Sequence, residues 1–192
     1  MTISAPVPRR KDAQRNHEAI LDAARELFAD CANVPMCEVA RRAGVGQATL
    51  YRNFPDRGEL AAALLAEQME RTERVAGQHA NDPDAFFVLL RTMIENMASF
   101  YALGQLARED ACLGSDLERR RRRLAELMKQ PLTAAKAAGT LRRDVAMDDV
   151  FLVLSAARGA MDGADGAVSR ASAGARFLTL VLNGLTPQPY PT

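Results

Sequence analysis

Apolar residues recur along this chain at helical spacing almost from end to end, and no stretch alternates as a strand would. Ile20, Leu21, Ala24, Leu27 and Phe28 form one stripe of a helix predicted over Asp12 to Asp30. Short helices are predicted at Met36 to Ala43 and Gln47 to Asn53, separated by Gly44-Val45-Gly46, where glycine admits a turn that a side chain would resist. Asp56 and Glu59 have the spacing of a capping box that opens a long helix to Gln78. Asp82-Pro83 opens another, with Phe86, Leu89, Leu90, Met93, Met97 and Phe100 along one face. Ser115 and Glu118 suggest a second capping box, starting a helix that Pro131 bends and Gly139 ends. Two largely apolar helices close the pattern, from Asp149 to Met161 and from Ser169 to Leu185, each apolar enough to be covered on more than one side. The ends, 1–8 and 187–192, carry prolines and are expected to be loose. The fold class is therefore all-α, with about nine helices.

Composition narrows this only slightly. In 192 residues, 48% hydrophobic and 26% charged positions with no Trp describe a folded soluble protein that needs neither disulfide nor metal to hold its core. A net charge of +1 leaves any affinity for nucleic acid to local placement of charge. Cys31, Cys37 and Cys112 form no CxxC pair and read as ordinary thiols of a reducing compartment. Met1 to Pro8 lacks the apolar core of a signal peptide, and no segment has the roughly 18 apolar residues of a membrane span, so a cytoplasmic protein without a membrane partner is expected. His17 and His79 have no companions at metal-ligand spacing, and there is no nucleophile elbow, phosphate loop or dinucleotide signature. Neither a metal, a cofactor nor an enzymatic activity is expected.

The segment Val39 to Phe54 carries specific chemistry. Ala40 is small where two helices would cross, Gly44 allows the turn, and Val45, Leu50 and Phe54 would pin the second helix against the first. The opposite face then presents Gln47, Ala48, Thr49, Tyr51, Arg52 and Asn53, residues able to contact phosphates or read base edges. A plain helical hairpin within a bundle is the bland alternative.

Gly44 to Leu60, reading GVGQATLYRNFPDRGEL, resembles the signature of TetR (tetracycline repressor) regulators, and the likeness extends over about Asp12 to Leu65. The resemblance implies a three-helix helix-turn-helix DNA-binding head over 9–55 and a helical effector-binding and dimerisation body over 56–186. It implies a homodimer held by the last two helices that binds palindromic double-stranded operator DNA and is released by a small molecule. Carried onto this chain, it makes Thr49, Tyr51, Asn53 and Arg57 phosphate contacts, with the amides at the start of the Arg57 helix forming an anion site. Gln47, Ala48 and Arg52 would face bases, and Arg9, Arg10, Lys11 and Arg15 would supply a basic arm. The chain departs from the pattern where Asn53 stands for a common His, where Pro35 replaces a capping hydroxyl, and where the loop Cys31 to Val34 is short, with Asn33 suited to a left-handed backbone.

The body offers weaker signals. Arg119 to Arg123 is a run of five, but a helix turns about 100° per residue, so the run spreads around the cylinder and reads as a solvated face pairing with Glu118 or Glu126. Leu113, Leu117, Leu124, Leu127 and Met128 mark an apolar face on which Arg120 or Arg121 falls, near an effector cavity where it would favour an acidic ligand or a body carboxylate. Phe86, Met93, Met97, Phe100, Tyr101, Phe151 and Leu154 are the other lining candidates, with Asn96 as a polar anchor; plain core is the alternative for each. Arg158, among Ala156, Ala157, Gly159 and Ala160, suits a close helix seam between protomers, with a contact within the chain as the alternative. The rival reading of the whole chain is a helical ligand-binding or interaction protein without DNA binding.

Overall fold

The turns between helices are set by a few residues whose backbone or side chain does what the helix interior cannot. In the computed structural model, which describes residues 8–28, 34–80, 82–99, 101, 111–164 and 169–186, without the side chains of 8–10 and 111–117, every regular element is helical. Eight helices are described: α1 Pro8–Phe28, α2 Met36–Arg42, α3 Gln47–Asn53, α4 Arg57–Gln78, α5 Ala85–Ser99, α6 Ala111–Ala138, α7 Met147–Asp162 and α8 Arg170–Leu185. Residues 102–110 lie outside the description, as do the tail 187–192, Cys31 and Asn33. None of the described helices is long and apolar enough to cross a membrane.

Several boundaries differ from those expected, each for a local reason. α1 starts at Pro8, not Asp12, because proline lacks only an amide that the first helical turn leaves unpaired anyway. α5 starts at Ala85, not Pro83. Asp82 takes the Asp84 amide on Oδ1 at 2.9 Å and the Ala85 amide on its carbonyl at 3.0 Å, so Pro83 sits in the turn that precedes the helix. α6 already runs at Ala111, so Ser115 lies inside it and does not open it. It also continues through Pro131 to Ala138 as one helix, losing a single backbone hydrogen bond there.

Two helices end on glycines in the left-handed region, Gly44 at φ 66° and Gly139 at φ 74°. Each completes a Schellman motif. After α2 the Val45 amide reaches the Ala40 carbonyl at 3.0 Å and the Gly44 amide that of Arg41 at 3.2 Å; after α6 the Thr140 amide reaches Ala135 at 3.1 Å and the Gly139 amide Lys136 at 3.2 Å. At helix starts, Asp56 accepts from the Glu59 amide at 2.8 Å, Asp149 from the Ala146 amide at 2.7 Å, and Ser169 from the Ser172 amide at 3.1 Å. Arg142 serves an opposite end, where its guanidinium meets the Gly184 carbonyl at 3.1 Å and its amide the Leu185 carbonyl at 3.1 Å, a cation where the α8 dipole is negative.

The chain divides into two compact units, one of residues up to Ala66 with 100–113, the other of 67–99 with 114–192. The first has a core of Ile20, Ala24 and Phe28 from α1, Val39 and Ala40 from α2, Leu50 and Phe54 at α3, and Leu60, Ala61 and Leu64 from α4. Burying each large side chain there contributes roughly 1.5–3 kcal/mol. In the second unit, α5 buries Phe86, Leu89, Leu90, Met93 and Ile94, while Met128, Ala135, Val150, Ala157, Met161 and Leu178 are buried on α6, α7 and α8. Gly174 permits a close approach here, since a Cβ would stand 2.5 Å from the Met161 methyl.

Candidate nucleic-acid interface

α3 is seven residues long and divides cleanly between a pinned face and an open one. Leu50 is fully buried and Phe54, just past its end, nearly so. Val45 packs half-buried against the same core. On the other side Gln47, Ala48, Tyr51 and Arg52 are exposed, with Tyr51 at 48%, while Thr49 and Asn53 are half-buried. A tyrosine left in water on a helix anchored so firmly behind is the kind of exposed group that marks an interaction surface.

The polar side chains are ordered by α3 itself. Arg52 donates through Nε to the Ala48 carbonyl at 3.1 Å and through an Nη to Thr49 Oγ1 at 3.0 Å, and the Asn53 amide nitrogen donates to the Thr49 carbonyl at 2.8 Å. The guanidinium of Arg52 is therefore held along the open face with less rotamer freedom to lose on meeting a phosphate or a base edge.

Around α3 the chain is braced by contacts that the sequence did not announce. The His17 imidazole stacks on the Phe54 ring, with centroids 4.8 Å apart and planes 26° apart. Its signal, visible only in retrospect, is that His17 lies one helical turn before Ile20 on the buried stripe of α1. Arg42 of α2 pairs with Glu26 of α1. Arg57 donates to the Val34 carbonyl, next to Pro35, which stands at the N-cap of α2 with no side-chain hydrogen bond to offer. Arg41 pairs with Glu38 within α2 and holds that carboxyl below its usual range, chiefly by hydrogen bonding.

The structure thus brings Gln47, Ala48, Tyr51 and Arg52 onto one open face, and turns Arg57 toward the start of α2. At the start of α4 the Glu59 amide is already taken by Asp56. Of the basic arm, Lys11 is exposed and Arg15 is exposed and paired with Asp12 at 2.9 Å; the side chains of Arg9 and Arg10 lie outside the described residues. Cys37 is exposed as a free thiol.

In the second unit, the ligand candidates Phe86 and Met93 are buried, and Met97, Phe151 and Leu154 are half-buried; Phe100 lies outside the described residues. Asn96 is buried and donates to Thr72 Oγ1 at 3.2 Å. Arg120 is half-buried, whereas Arg121 is exposed and lies 4.5 Å over the Phe151 ring, a cation–π contact. From the arginine run, Arg123 pairs with Glu73, and Glu126 pairs instead with Lys129 at 2.6 Å.

Comparison with known proteins bears on both units. Residues 20–64 match the family described as bacterial regulatory proteins of the tetR family, and residues 81–187, more than half the chain, match the C-terminal domain of SbtR-like transcriptional regulators. An HTH-type transcriptional regulator of Staphylococcus aureus (strain USA300) is 33% identical over 63 residues, 32% of this chain and 34% of that protein. The match thus spans about a third of the length of such relatives. A TetR transcription regulatory protein from Mycobacterium vanbaalenii superposes with a TM-score of 0.63 at 29% identity, covering 93% of this chain and 99% of the other. The TetR transcriptional regulator SCO0520 from Streptomyces coelicolor does so with a TM-score of 0.66 at 29% identity, over 90% and 99%.

Proposed function

The chain belongs to the TetR family of bacterial transcriptional regulators, and from that premise we propose that it is a repressor which binds a palindromic operator as a dimer and leaves it when a small molecule enters its body. The observation that carries this reading is the open face of α3, where Gln47, Tyr51 and Arg52 stand exposed while Leu50 and Phe54 fix the helix from behind. Residues 9–55 are assigned to the DNA-binding head and 56–186 to the body. In this assignment Thr49, Tyr51 and Asn53 contact phosphates, Gln47, Ala48 and Arg52 face bases, and Arg10, Lys11 and Arg15 add basic contacts.

Dimerisation is assigned to α7 and α8. Leu152 is 67% exposed and Leu180 56% exposed in the single chain, and large apolar side chains so placed on neighbouring helices suit an isologous contact with a second copy. Two α3 helices would then stand about 34–36 Å apart, facing successive major grooves. An effector held in the body would favour the conformation with the weaker joint fit to DNA, which is release by population shift.

The test is binding of the purified protein to the DNA upstream of its own gene at two salt concentrations, beside a Tyr51→Ala, Arg52→Ala double variant. Salt-sensitive, sequence-specific binding lost in the variant is the expected result. Failure of the wild type to bind either that DNA or a selected random pool would instead favour a helical ligand-binding protein that has lost DNA binding.

A further inference from the structure

Within α3, the direction in which each side chain leaves the helix follows from its place relative to Leu50, which is fully buried. A helix turns about 100° per residue, so Ala48 and Arg52, two residues before and two after Leu50, both leave about 160° from it and about 40° from each other. Tyr51 and Asn53 leave about 100° to either side of Arg52. When such a helix lies in a major groove, its flanks meet the sugar-phosphate walls and the middle of its open face meets the base edges on the floor. Arg52 and Ala48 hold that middle position, both exposed, and Ala48 brings only a methyl group to it.

Arg52 is tied down there in a particular way. Of its guanidinium donors, the Nε–H goes to the Ala48 carbonyl at 3.1 Å and one N–H of Nη2 to Thr49 Oγ1 at 3.0 Å. The side chain thus folds back along the helix over Ala48, where a longer residue would stand in its way. Both bonds use the edge that Nε and Nη2 share. The end of the fork, with one N–H each from Nη1 and Nη2, is left open. Thr49 serves Arg52 as an acceptor only, so its hydroxyl keeps a proton to give to a phosphate at the same time.

We infer that Arg52 reads a guanine in each operator half-site through its Nη1 and Nη2 pair, and that Thr49 is the residue that positions it. In the major groove only guanine sets two acceptors, O6 and N7, side by side; adenine sets a donor beside its N7, cytosine offers a donor, and thymine a single acceptor beside a methyl group. Two parallel donors therefore match guanine, and on adenine one of them meets another donor. A loose arginine can swing to a phosphate in the wall, which its fork fits equally well. Held by Ala48 and Thr49 at the centre of the face, the fork of Arg52 stays over the floor. The inference rests on the operator-binding reading and specifies one base of the operator.

The experiment selects binding sequences for the full chain from a random double-stranded DNA pool, then measures affinity for the selected operator with one base changed at a time. The expected result is a guanine in each half-site whose replacement by adenine, or by 7-deazaguanine, which lacks N7, weakens wild-type binding about tenfold or more. Arg52→Ala is expected to bind the guanine, adenine and 7-deazaguanine operators alike, with its preferences at other positions unchanged. Thr49→Val is expected to lose several-fold of the guanine-over-adenine ratio, and Thr49→Ser, which keeps the acceptor, to restore it. A lost phosphate contact does not move that ratio: it lowers affinity for every sequence equally and makes the salt slope shallower by about one. Arg52→Ala that keeps the guanine preference while losing affinity uniformly makes Arg52 a phosphate ligand, which overturns the inference and leaves operator binding standing. An unchanged ratio in Thr49→Val overturns the positioning role. Selection of no sequence by the wild type overturns operator binding itself, and this inference with it.

Discussion

The imidazole of His17 braces α3 from α1, lying over the Phe54 ring at the point where the chain leaves that helix. A stack of this geometry contributes about 0.5–1.5 kcal/mol beyond the area it buries. His17→Ala is therefore expected to weaken operator binding several-fold with a small loss of stability, and His17→Phe to restore it; equal affinities in a mobility-shift titration of all three would show that the stack does not matter to DNA. Gly44 is a second single-residue dependence. Its φ of 66° is strained for any residue with a Cβ, although space for one is open. Gly44→Ala is expected to cost about 1–2 kcal/mol in chemical denaturation, entirely from the backbone. Pro35 and Arg57 make the complementary point, since the N-cap of α2 lacks a hydroxyl and the Arg57 guanidinium instead holds the adjoining Val34 carbonyl.

Among the elements, the helix ends are where acid would act first. The Asp82 carboxyl bridges α4 to α5, accepting from His79 Nδ1 at 2.7 Å and from the Asp84 amide at 2.9 Å, and these bonds hold it below the usual carboxylate range. Asp144, hydrogen-bonded by Arg142 beside the end of α8, is lowered in the same way, as is Glu38 by Arg41. A carboxyl that titrates lower in the folded chain than in the unfolded one stabilises the fold in full above its unfolded value of about 4, and loses that contribution as pH falls through the folded value. Unfolding temperature is thus expected to be flat from neutral pH down to about 5 and to fall below about 4. All three groups are at the surface, so the slope should be shallow; a Glu38→Gln, Asp82→Asn, Asp144→Asn variant should flatten it further.

At the scale of the molecule, the proposed contact with a second copy is the one to test. Leu152 and Leu180 stand open on α7 and α8, helices otherwise packed by Ala157, Met161, Gly174 and Leu178. Leu152→Glu with Leu180→Glu is expected to leave a folded monomer in light scattering. If two heads bind a palindrome jointly, as proposed, its operator affinity should fall by about a hundredfold or more. An unchanged dimer would move the interface elsewhere.

The all-helical class, the turn at Gly44 and the open face of α3 follow from the sequence alone, because apolar periodicity, glycine and caps act through neighbours three or four residues away. The starts of α1, α5 and α6 were not legible in the same way, since Pro8, Pro83 and Ser115 each suit more than one place near a helix end and only packing selects among them. The His17–Phe54 stack, the turn of Arg57 toward Val34 and the Thr72–Asn96 pair lie wholly beyond that range. Each joins residues more than twenty positions apart, so no local pattern could announce it, and only the folded chain decided which of these polar groups would meet water and which would meet one another.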